Sequence, residues 1–150
     1  MGHTYYAVYE HITFSTKHRQ RIIDNRIQAE LFPYLAAAVR NQGCQCLIVG
    51  GQPEHVHILA GMSSTLLTAD LVKEIKRTSS IWIKGKGADY RRFSWQAGYG
   101  AFSVSCSNLK KVTSYIANQD EHHHGMTWEE EFRGLLIRHG IQFDERYYLD

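Results

Sequence analysis

Two pairs of residues have the side chains and the spacing that metal-assisted chemistry requires. The first pair is His55 and His57, in a stretch of β-branched and aliphatic residues that predicts a short strand within residues 53–61. Because strand side chains alternate between faces, the two imidazoles point the same way, and Val56 and Ile58 point into a core. Two imidazoles side by side on a strand form a ready pair of metal ligands.

The second pair is Tyr115 and Gln119, which lie one turn apart on a predicted helix. A phenol and an amide oxygen presented together could supply a nucleophile and complete a metal site. Lys111 and His122 extend the same polar face, beside an apolar stripe of Leu109, Val112 and Ile116. The run 122–124, three histidines, predicts a solvated helix end rather than a metal cluster.

Each pair also has a purely structural interpretation. Two histidines on a strand could be polar residues on the wet face of an edge hairpin, and a tyrosine in an amphipathic helix is often a packing residue. Other motifs are excluded by spacing, since a histidine triad would need a third histidine where Leu59 stands. The zinc-protease, phosphate-loop and nucleophile-elbow patterns are absent. Cys44 and Cys46 form one C-x-C pair, a weak zinc signal.

Composition is ordinary for a globular protein, with 43% hydrophobic and 21% charged residues. A length of 150 residues predicts a single domain over residues 1–150. The net charge of +2 is too small to imply an anionic partner by itself. Three cysteines without framework spacing indicate a reducing compartment. No signal peptide and no apolar run of ~20 residues is seen, so we expect a cytoplasmic protein without a membrane partner.

The periodicity predicts four strands and four helices. Strands are expected over residues 4–15, over 44–50, within 53–61 and over 101–105. Two helices are expected over residues 26–41 and 66–84. A third helix should begin at a cap at Ser107 or Asn108, and a fourth should run to about His139. The order β α β β α β α α favours an α+β fold, an antiparallel, ferredoxin-like sheet with helices packed on it. The β-strands on either side of Gly51 should form a hairpin.

Further details follow from the same patterns. The helix over 26–41 should bury Ile27, Leu31, Leu35 and Val39, contain Pro33 and end at Gly43. The helix over 66–84 should bury Leu67, Leu71, Ile75 and Trp82. Residues 85–100 are predicted to be a mobile basic loop with interleaved aromatics. Thr127 and Glu130 form a capping box at the last helix.

The combination of His55-Val56-His57 with Tyr115 and Gln119 resembles the single-tyrosine HUH transposases of small bacterial insertion sequences, the IS200-like and REP-associated type. HUH denotes His, hydrophobic, His. The similarity extends over nearly the whole chain: the opening strand and residues 15–19, then Trp95 with residues 98–99, then residues 115–123 and the Glu-rich final helix. It implies the HUH endonuclease fold.

The resemblance implies that His55, His57 and Gln119 hold one divalent cation, Mg²⁺ or Mn²⁺, and that Tyr115 attacks DNA. The products would be a free 3′-hydroxyl and a 5′-phosphotyrosine, which conserves the phosphodiester energy for rejoining. The phenol, with an ordinary pKa of ~10, would need activation by the cation or by a neighbour such as Lys111.

The resemblance also implies single-stranded DNA with imperfect hairpins as substrate. It further implies an obligate homodimer in which the tyrosine helix of one subunit completes the other's metal site. Eight basic residues could contact phosphates, and the aromatics of residues 90–99 could stack on unpaired bases. The eight are Lys17, Arg19, Lys73, Lys76, Arg77, Arg91, Arg92 and Lys111.

Three alternatives stay open at this point. A domesticated single-strand nicking endonuclease or relaxase-like protein would share the chemistry and differ in its DNA. A non-catalytic α+β nucleic-acid-binding module would use the histidines structurally. A zinc hydrolase would need the thiol of Cys44 or Cys46 near the histidine pair.

Overall fold

A computed structural model describes residues 2–150, apart from the side chain of His122. Its strands and α-helices follow the predicted order, with one added short helix. They are β1 (Tyr9–Ser15), α1 (Asn25–Asn41), β2 (Gln45–Gln52), β3 (His55–Gly61), α2 (Thr68–Lys84), β4 (Gly100–Val104), α3 (Leu109–Ala117), α4 (Gln119–His122) and α5 (Trp128–Arg138). No helix in this described part of the chain is both long and apolar enough to cross a bilayer.

The sheet confirms the predicted α+β, ferredoxin-like architecture. Its strand order is β2-β3-β1-β4, and all three pairings are antiparallel. The predicted hairpin joins β2 to β3, with Gln52 opposite His55 across a two-residue turn. This order places β1 and β3 in the centre, so their side chains are covered on both faces.

The first strand is shorter than predicted. Residues 4–7 have the aromatic and β-branched composition of a strand but are exposed, and β1 begins at Tyr9. Tyr9 pairs with Gly61 on β3 and with Val104 on β4, where both partner strands end. Strand composition alone therefore does not extend the ladder, because the preceding residues have no partner strand.

One face of the sheet forms the main hydrophobic core against α1 and α2. The predicted α1 stripe of Ile27, Leu31, Leu35 and Val39 is buried there, and the helix runs through Pro33. On α2, Leu71 and Ile75 are buried as predicted, but Leu67 is 69% exposed. The helix begins after Leu67, so that residue lies outside the periodic stripe. Trp82 is half-buried and stacks on Tyr34 instead.

The opposite face is covered by α3, α4 and α5. A second apolar cluster there consists of Phe102, Trp128, Phe132, Leu135 and Leu136. The predicted capping box is confirmed, since the Thr127 hydroxyl accepts a hydrogen bond from the Glu130 backbone amide at 3.2 Å. Asn108 occupies the N-cap position of α3 without a side-chain capping bond, contrary to the predicted cap.

A glycine lets the tyrosine-bearing helix lie close to the sheet. A Cβ atom at Gly50 on β2 would lie 2.6 Å from the backbone oxygen of Ile116 on α3, a distance that real structures do not tolerate. Gly50 therefore permits α3 to approach the sheet closely and fixes the height of Tyr115 above β3.

Candidate active site

The histidine pair lies under the helical layer on the second face of the sheet. His55 and His57 are completely buried, and their ring centroids are 4.9 Å apart with nearly perpendicular planes. Val56 and Ile58 between and beside them are buried in the main core on the other face. The predicted alternation of side chains along the strand is thus confirmed, and neither histidine is a solvent-exposed residue at the edge of the sheet.

A carboxylate that the sequence analysis did not single out joins the two imidazoles. Glu131 Oε1 on α5 lies 3.0 Å from His57 Nε2 and 3.3 Å from His55 Nε2. The three side chains place ligand atoms within 4.8 Å of one another, a spacing suited to one metal ion. Glu131 lies on the same stripe of α5 as Trp128 and Leu135, at three- and four-residue spacing. In the sequence, the sign of a functional role for Glu131 was a charged residue at a position where the helical spacing predicts burial.

Tyr115 and Gln119 converge on the same carboxylate of their own chain. Gln119 Oε1 lies 2.9 Å from His55 Nε2, and its amide nitrogen donates to Glu131 Oε2 at 3.1 Å. The Tyr115 hydroxyl also donates to Glu131 Oε2. The two residues do not share one continuous helix, because Asn118 (φ −103°, ψ 31°) separates α3 from α4.

Each histidine is held from behind by a second partner. His55 Nδ1 lies 2.8 Å from Glu54 Oε1, and Arg21 in turn contacts Glu54 at 2.7 Å. His57 Nδ1 lies 2.7 Å from His11 Nε2. The Nδ1 atoms are thereby occupied and both Nε2 atoms point at Glu131, the arrangement that orients metal-binding histidines.

Burial and charge act in opposite directions on the ionisable groups of the site. Burial raises the pKa of Glu131, but hydrogen bonds from His123, His55 and His57 outweigh it, so the pKa lies well below its usual value. Burial likewise lowers the pKa of His55, but Glu131 and Glu54 raise it to about 9. For His57 burial dominates and lowers the pKa to about 4. The site therefore holds an anionic Glu131 among imidazoles of different charge.

Burial, followed by the negative charge of Glu131, raises the pKa of Tyr115 above its ordinary value. The phenol is therefore neutral in the protein without a bound cation. Positive charge near the phenolic oxygen would be needed to activate it.

The histidine run after Gln119 is not simply a solvated helix end. His123 is half-buried, lies 3.1 Å from Glu131 Oε1 and packs its ring 4.7 Å from that of His55. His124 is exposed as predicted. The side chain of His122, expected to extend the polar face of Tyr115, lies outside the part of the chain that the structure describes.

The eight candidate phosphate contacts differ in their availability. Exposed positions are occupied by Lys17, Lys73, Arg77, Arg91, Arg92 and Lys111, and Arg77 is paired with Glu74. Lys76 is half-buried, donates to the carbonyl oxygens of Gln96 and Gly98, and has its pKa lowered to about 8 by burial. Arg19 donates to the Leu149 carbonyl and pairs with Glu129. The charged groups of Lys76 and Arg19 are thus engaged by other residues of the chain and are less available to DNA phosphates.

Residues 85–100, predicted to be a mobile basic loop, are packed against the rest of the chain. Of their aromatic side chains, Tyr90, Phe93 and Trp95 are buried, and Tyr99 is 37% exposed. Backbone hydrogen bonds from Lys17 to Ser94 and from Gln96 to Ser15, of 2.8 and 2.9 Å, bind the loop to the end of β1. Stacking of DNA bases on Tyr90, Phe93 and Trp95 is therefore not supported, because their rings are buried in the hydrophobic core.

The zinc-hydrolase alternative loses its thiol ligands. The metal-capable group found among the described residues consists of His55, His57 and Glu131, without a cysteine. The Cys44 thiol accepts a hydrogen bond from the Ser63 amide, and burial raises the pKa of Cys46, which disfavours the thiolate that zinc requires.

Solved structures resemble this fold, including the following two. One is a candidate transposase from Deinococcus radiodurans R1, with a TM-score of 0.62 at 23% identity, covering 79% of this chain and 96% of that chain. The other is a REP-associated tyrosine transposase bound to a REP hairpin, with a TM-score of 0.60 at 14% identity, covering 84% and 75%. At these identities the likeness shows the fold. No curated protein matches the chain.

The sequence model of the family described as "Transposase IS200 like" matches residues 4–119. The matched region contains His55, His57, Tyr115 and Gln119 and ends before Glu131. Because it covers well over half of the sequence, the chain belongs to the IS200-like transposase family.

Proposed function

We propose that this transposase cleaves and rejoins single-stranded DNA through a covalent bond to Tyr115. The observation that carries the proposal is the convergence of the Tyr115 hydroxyl, the Gln119 amide and the two Nε2 atoms of His55 and His57 on Glu131. Packing of a hydrophobic core does not require a phenol to lie beside several potential metal-ligand atoms, so this arrangement favours a chemical role. These contacts are made within one chain, which supports an assignment of Tyr115 to the histidines of its own subunit.

The donor set fits a divalent cation. Two imidazole nitrogens, one carboxylate oxygen and one amide oxygen converge, a mixture that suits Mn²⁺ and that Mg²⁺ also accepts. We propose that His55, His57 and Glu131 hold the ion, with Gln119 contributing its oxygen. When bound, such an ion supplies positive charge that polarises the scissile phosphate and offsets developing negative charge.

The protein's own residues perform the remaining steps. The Tyr115 hydroxyl gives up its proton to water and its oxygen forms a bond to phosphorus as the bond to the 3′ oxygen breaks. The departing 3′ oxygen takes a proton from water, which leaves a 3′-hydroxyl and a 5′-phosphotyrosine. Glu131 orients the phenol by accepting its hydrogen bond. Glu54 and His11 hold the two imidazoles from behind, so that their Nε2 atoms stay directed at the reaction centre.

Hairpin-bearing single strands are the proposed substrate class. The support is the structural neighbour bound to a REP hairpin, together with the exposed positive charges at Lys17, Lys73, Arg91 and Arg92. We further propose that the 150 residues act as one domain and that two copies form a homodimer. Each Tyr115 would serve the histidines of its own chain.

Covalent capture of DNA tests the proposal. A randomised single-stranded DNA library labelled at its 3′ end should become attached to the wild-type protein in Mn²⁺, because the 5′-phosphotyrosine keeps the downstream fragment. Tyr115→Phe should abolish the adduct, while Tyr5→Phe, at a side chain 92% exposed, should retain it. The measurement is labelled protein on a denaturing gel.

Each other outcome has a definite meaning. Adducts that persist in Tyr115→Phe would refute the nucleophile. DNA binding without adducts in the wild type would favour the non-catalytic binding module. Adducts that never yield a rejoined strand with added 3′-hydroxyl DNA would favour the single-strand nicking endonuclease.

A further inference from the structure

A cleft of about 360 Å³ borders Tyr115, and most of the residues that line it have no role in the proposed chemistry. It lies between β4, α3 and α5, and Tyr115 and His11 form the wall that it shares with the metal-ligand cluster. Its volume lies within the range of small-ligand pockets. The position next to the reacting oxygen makes it a candidate for part of the substrate.

One wall of the cleft is flat and apolar. Phe102, which is buried, stacks on the exposed ring of His139 with centroids 4.5 Å apart and planes 29° apart. Val112 and Leu135 continue this wall. Stacked rings and aliphatic side chains provide a surface for an unpaired base without selecting its identity.

The rim of the cleft is basic. Lys111 on α3 and Arg138 in the last turn of α5 are exposed, and neither takes part in the ion pairs formed by the described residues. No carboxylate occurs among the described residues that line the cleft.

The groove on α2 is less suitable for the same role. It is lined by Lys73, Lys76 and Arg77 and has a volume of about 410 Å³. However, the Lys76 ammonium binds backbone carbonyls, and Arg77 pairs with Glu74. Two of its three cations are thus engaged, and Tyr115 does not line it. In the cleft next to Tyr115, Lys111 and Arg138 form no ion pair with the other described residues.

We propose that the cleft binds the DNA nucleotide on the 3′ side of the scissile phosphate, the one that stays attached to Tyr115. The attacking and leaving oxygens of a phosphoryl transfer lie roughly in line, so the departing 3′-hydroxyl strand leaves on the side away from the tyrosine. The retained nucleotide then occupies the space next to Tyr115. Lys111 and Arg138 contact its neighbouring phosphates, and its base lies on the wall of Phe102 and His139.

This inference rests on the proposed function, and binding measured without chemistry separates the two. The protein carries Tyr115→Phe, with Mn²⁺ present, and the probes are two fluorescent single-stranded pentanucleotides. One carries a 5′ phosphate, as the retained fragment does, and the other ends in a 3′-hydroxyl, as the leaving fragment does. Fluorescence anisotropy gives both affinities over a series of salt concentrations.

The expected result is a loss specific to the 5′-phosphorylated probe. Adding Lys111→Ala and Arg138→Ala should weaken its binding at least tenfold at low salt. The slope of log K against log salt should become shallower by about 1.4, for two phosphate contacts on a single strand. Lys110→Ala, at an exposed neighbour outside the cleft, should change the affinity less than twofold. His139→Ala should weaken binding several-fold without changing the salt slope.

An unchanged affinity for the 5′-phosphorylated probe would overturn the inference, and so would an equal loss for both probes, since the cleft would then not distinguish the 3′ side. In the Tyr115-containing protein, normal adduct formation with both substitutions would overturn the cleft and leave the proposed function intact. Absent adducts in the wild type, with the specific binding loss present, would refute the chemistry and retain the cleft as a single-stranded DNA site.

Discussion

On one face of the sheet, Ile12, Phe14 and Ile58 pack against α1 and α2, and on the other, Thr13, His55 and His57 pack beneath α3, α4 and α5. All six side chains are fully buried. They alternate along the same two central strands, with Thr13 directly opposite His57 and Ile12 opposite Ile58. The two faces therefore differ in chemistry and not in burial.

This difference indicates how a buried candidate active site is stabilised in a small fold. The apolar face lowers the free energy of folding through burial, which depends little on pH or on ligands. On the polar face, removing the side chains from water costs free energy. Hydrogen bonds that meet at Glu131 offset this cost. Its contribution to stability therefore depends on protonation and on any bound cation.

The largest stability effect is expected on the apolar face. Phe14→Ala removes a ring that packs edge-to-face on Trp95 and should lower the free energy of unfolding by about 3–5 kcal/mol. Urea denaturation measures this loss, with Tyr5→Phe at an exposed ring as the control. The Mn²⁺ affinity of the folded fraction should be unchanged. A Mn²⁺ affinity that falls with stability would show that the two faces are not independent.

The next effect is a pH dependence confined to the polar face of the metal-free protein. The pKa of His55 is raised to about 9 from 6.5, so its contribution is complete below pH 6.5 and is lost as pH rises through 9. From that shift the loss should be about 3 kcal/mol. The pKa of His57 is lowered to about 4, so its contribution is present above pH 6.5 and is lost as pH falls through 4.

Stability of the metal-free protein should therefore pass through a maximum near pH 6.5. Denaturation at a series of pH values in a chelator tests this, and Phe14→Ala should shift the whole curve without moving its maximum. A flat profile between pH 6.5 and 9 would contradict the ionised His55–Glu131 pair.

The smallest stability effect is expected from Glu131→Gln, which keeps the shape of the side chain and removes its charge. The loss should be about 1–3 kcal/mol at neutral pH, and the decrease in stability between pH 6.5 and 9 should shrink. Mn²⁺ at a hundredfold excess over its Kd should stabilise the wild type by about 2.7 kcal/mol and the variant by much less. Glu130→Gln, at the exposed neighbour, is the control, and an equal Mn²⁺ effect in both proteins would remove Glu131 from the metal site.

Much of the fold follows from local patterns. The stripe of α1, the β2–β3 hairpin and the capping box at Thr127 were predicted from spacing alone and are confirmed. Two of the wrong predictions concern where an element begins. Residues 4–7 are strand-like but lack a neighbouring strand, and Leu67 lies one residue before its helix begins.

The site was predictable in part. His55 and His57 could be assigned to one face because a strand has a period of two, and the structure brings Tyr115 and Gln119 to them. Glu131, His11 and Glu54 were not assigned roles, since each is polar at a position where local periodicity only indicates burial. Their partners lie on other elements, and a single sequence without those contacts does not pair them.

The sequence by itself determined which side chains share a face of a strand or a helix, because those periods are set by local backbone geometry. It therefore determined the imidazole pair and the apolar side behind it. The phenol and its amide were assigned to one helix, but they lie on two helices separated at Asn118. The tertiary structure alone decided that Glu131, 74 residues beyond His57, stands between them. It also decided that a cleft opens on the other side of Tyr115. Both depend on how α5 packs across the sheet, which is set by the combined burial of Trp128, Phe132 and Leu135 and not by any local spacing.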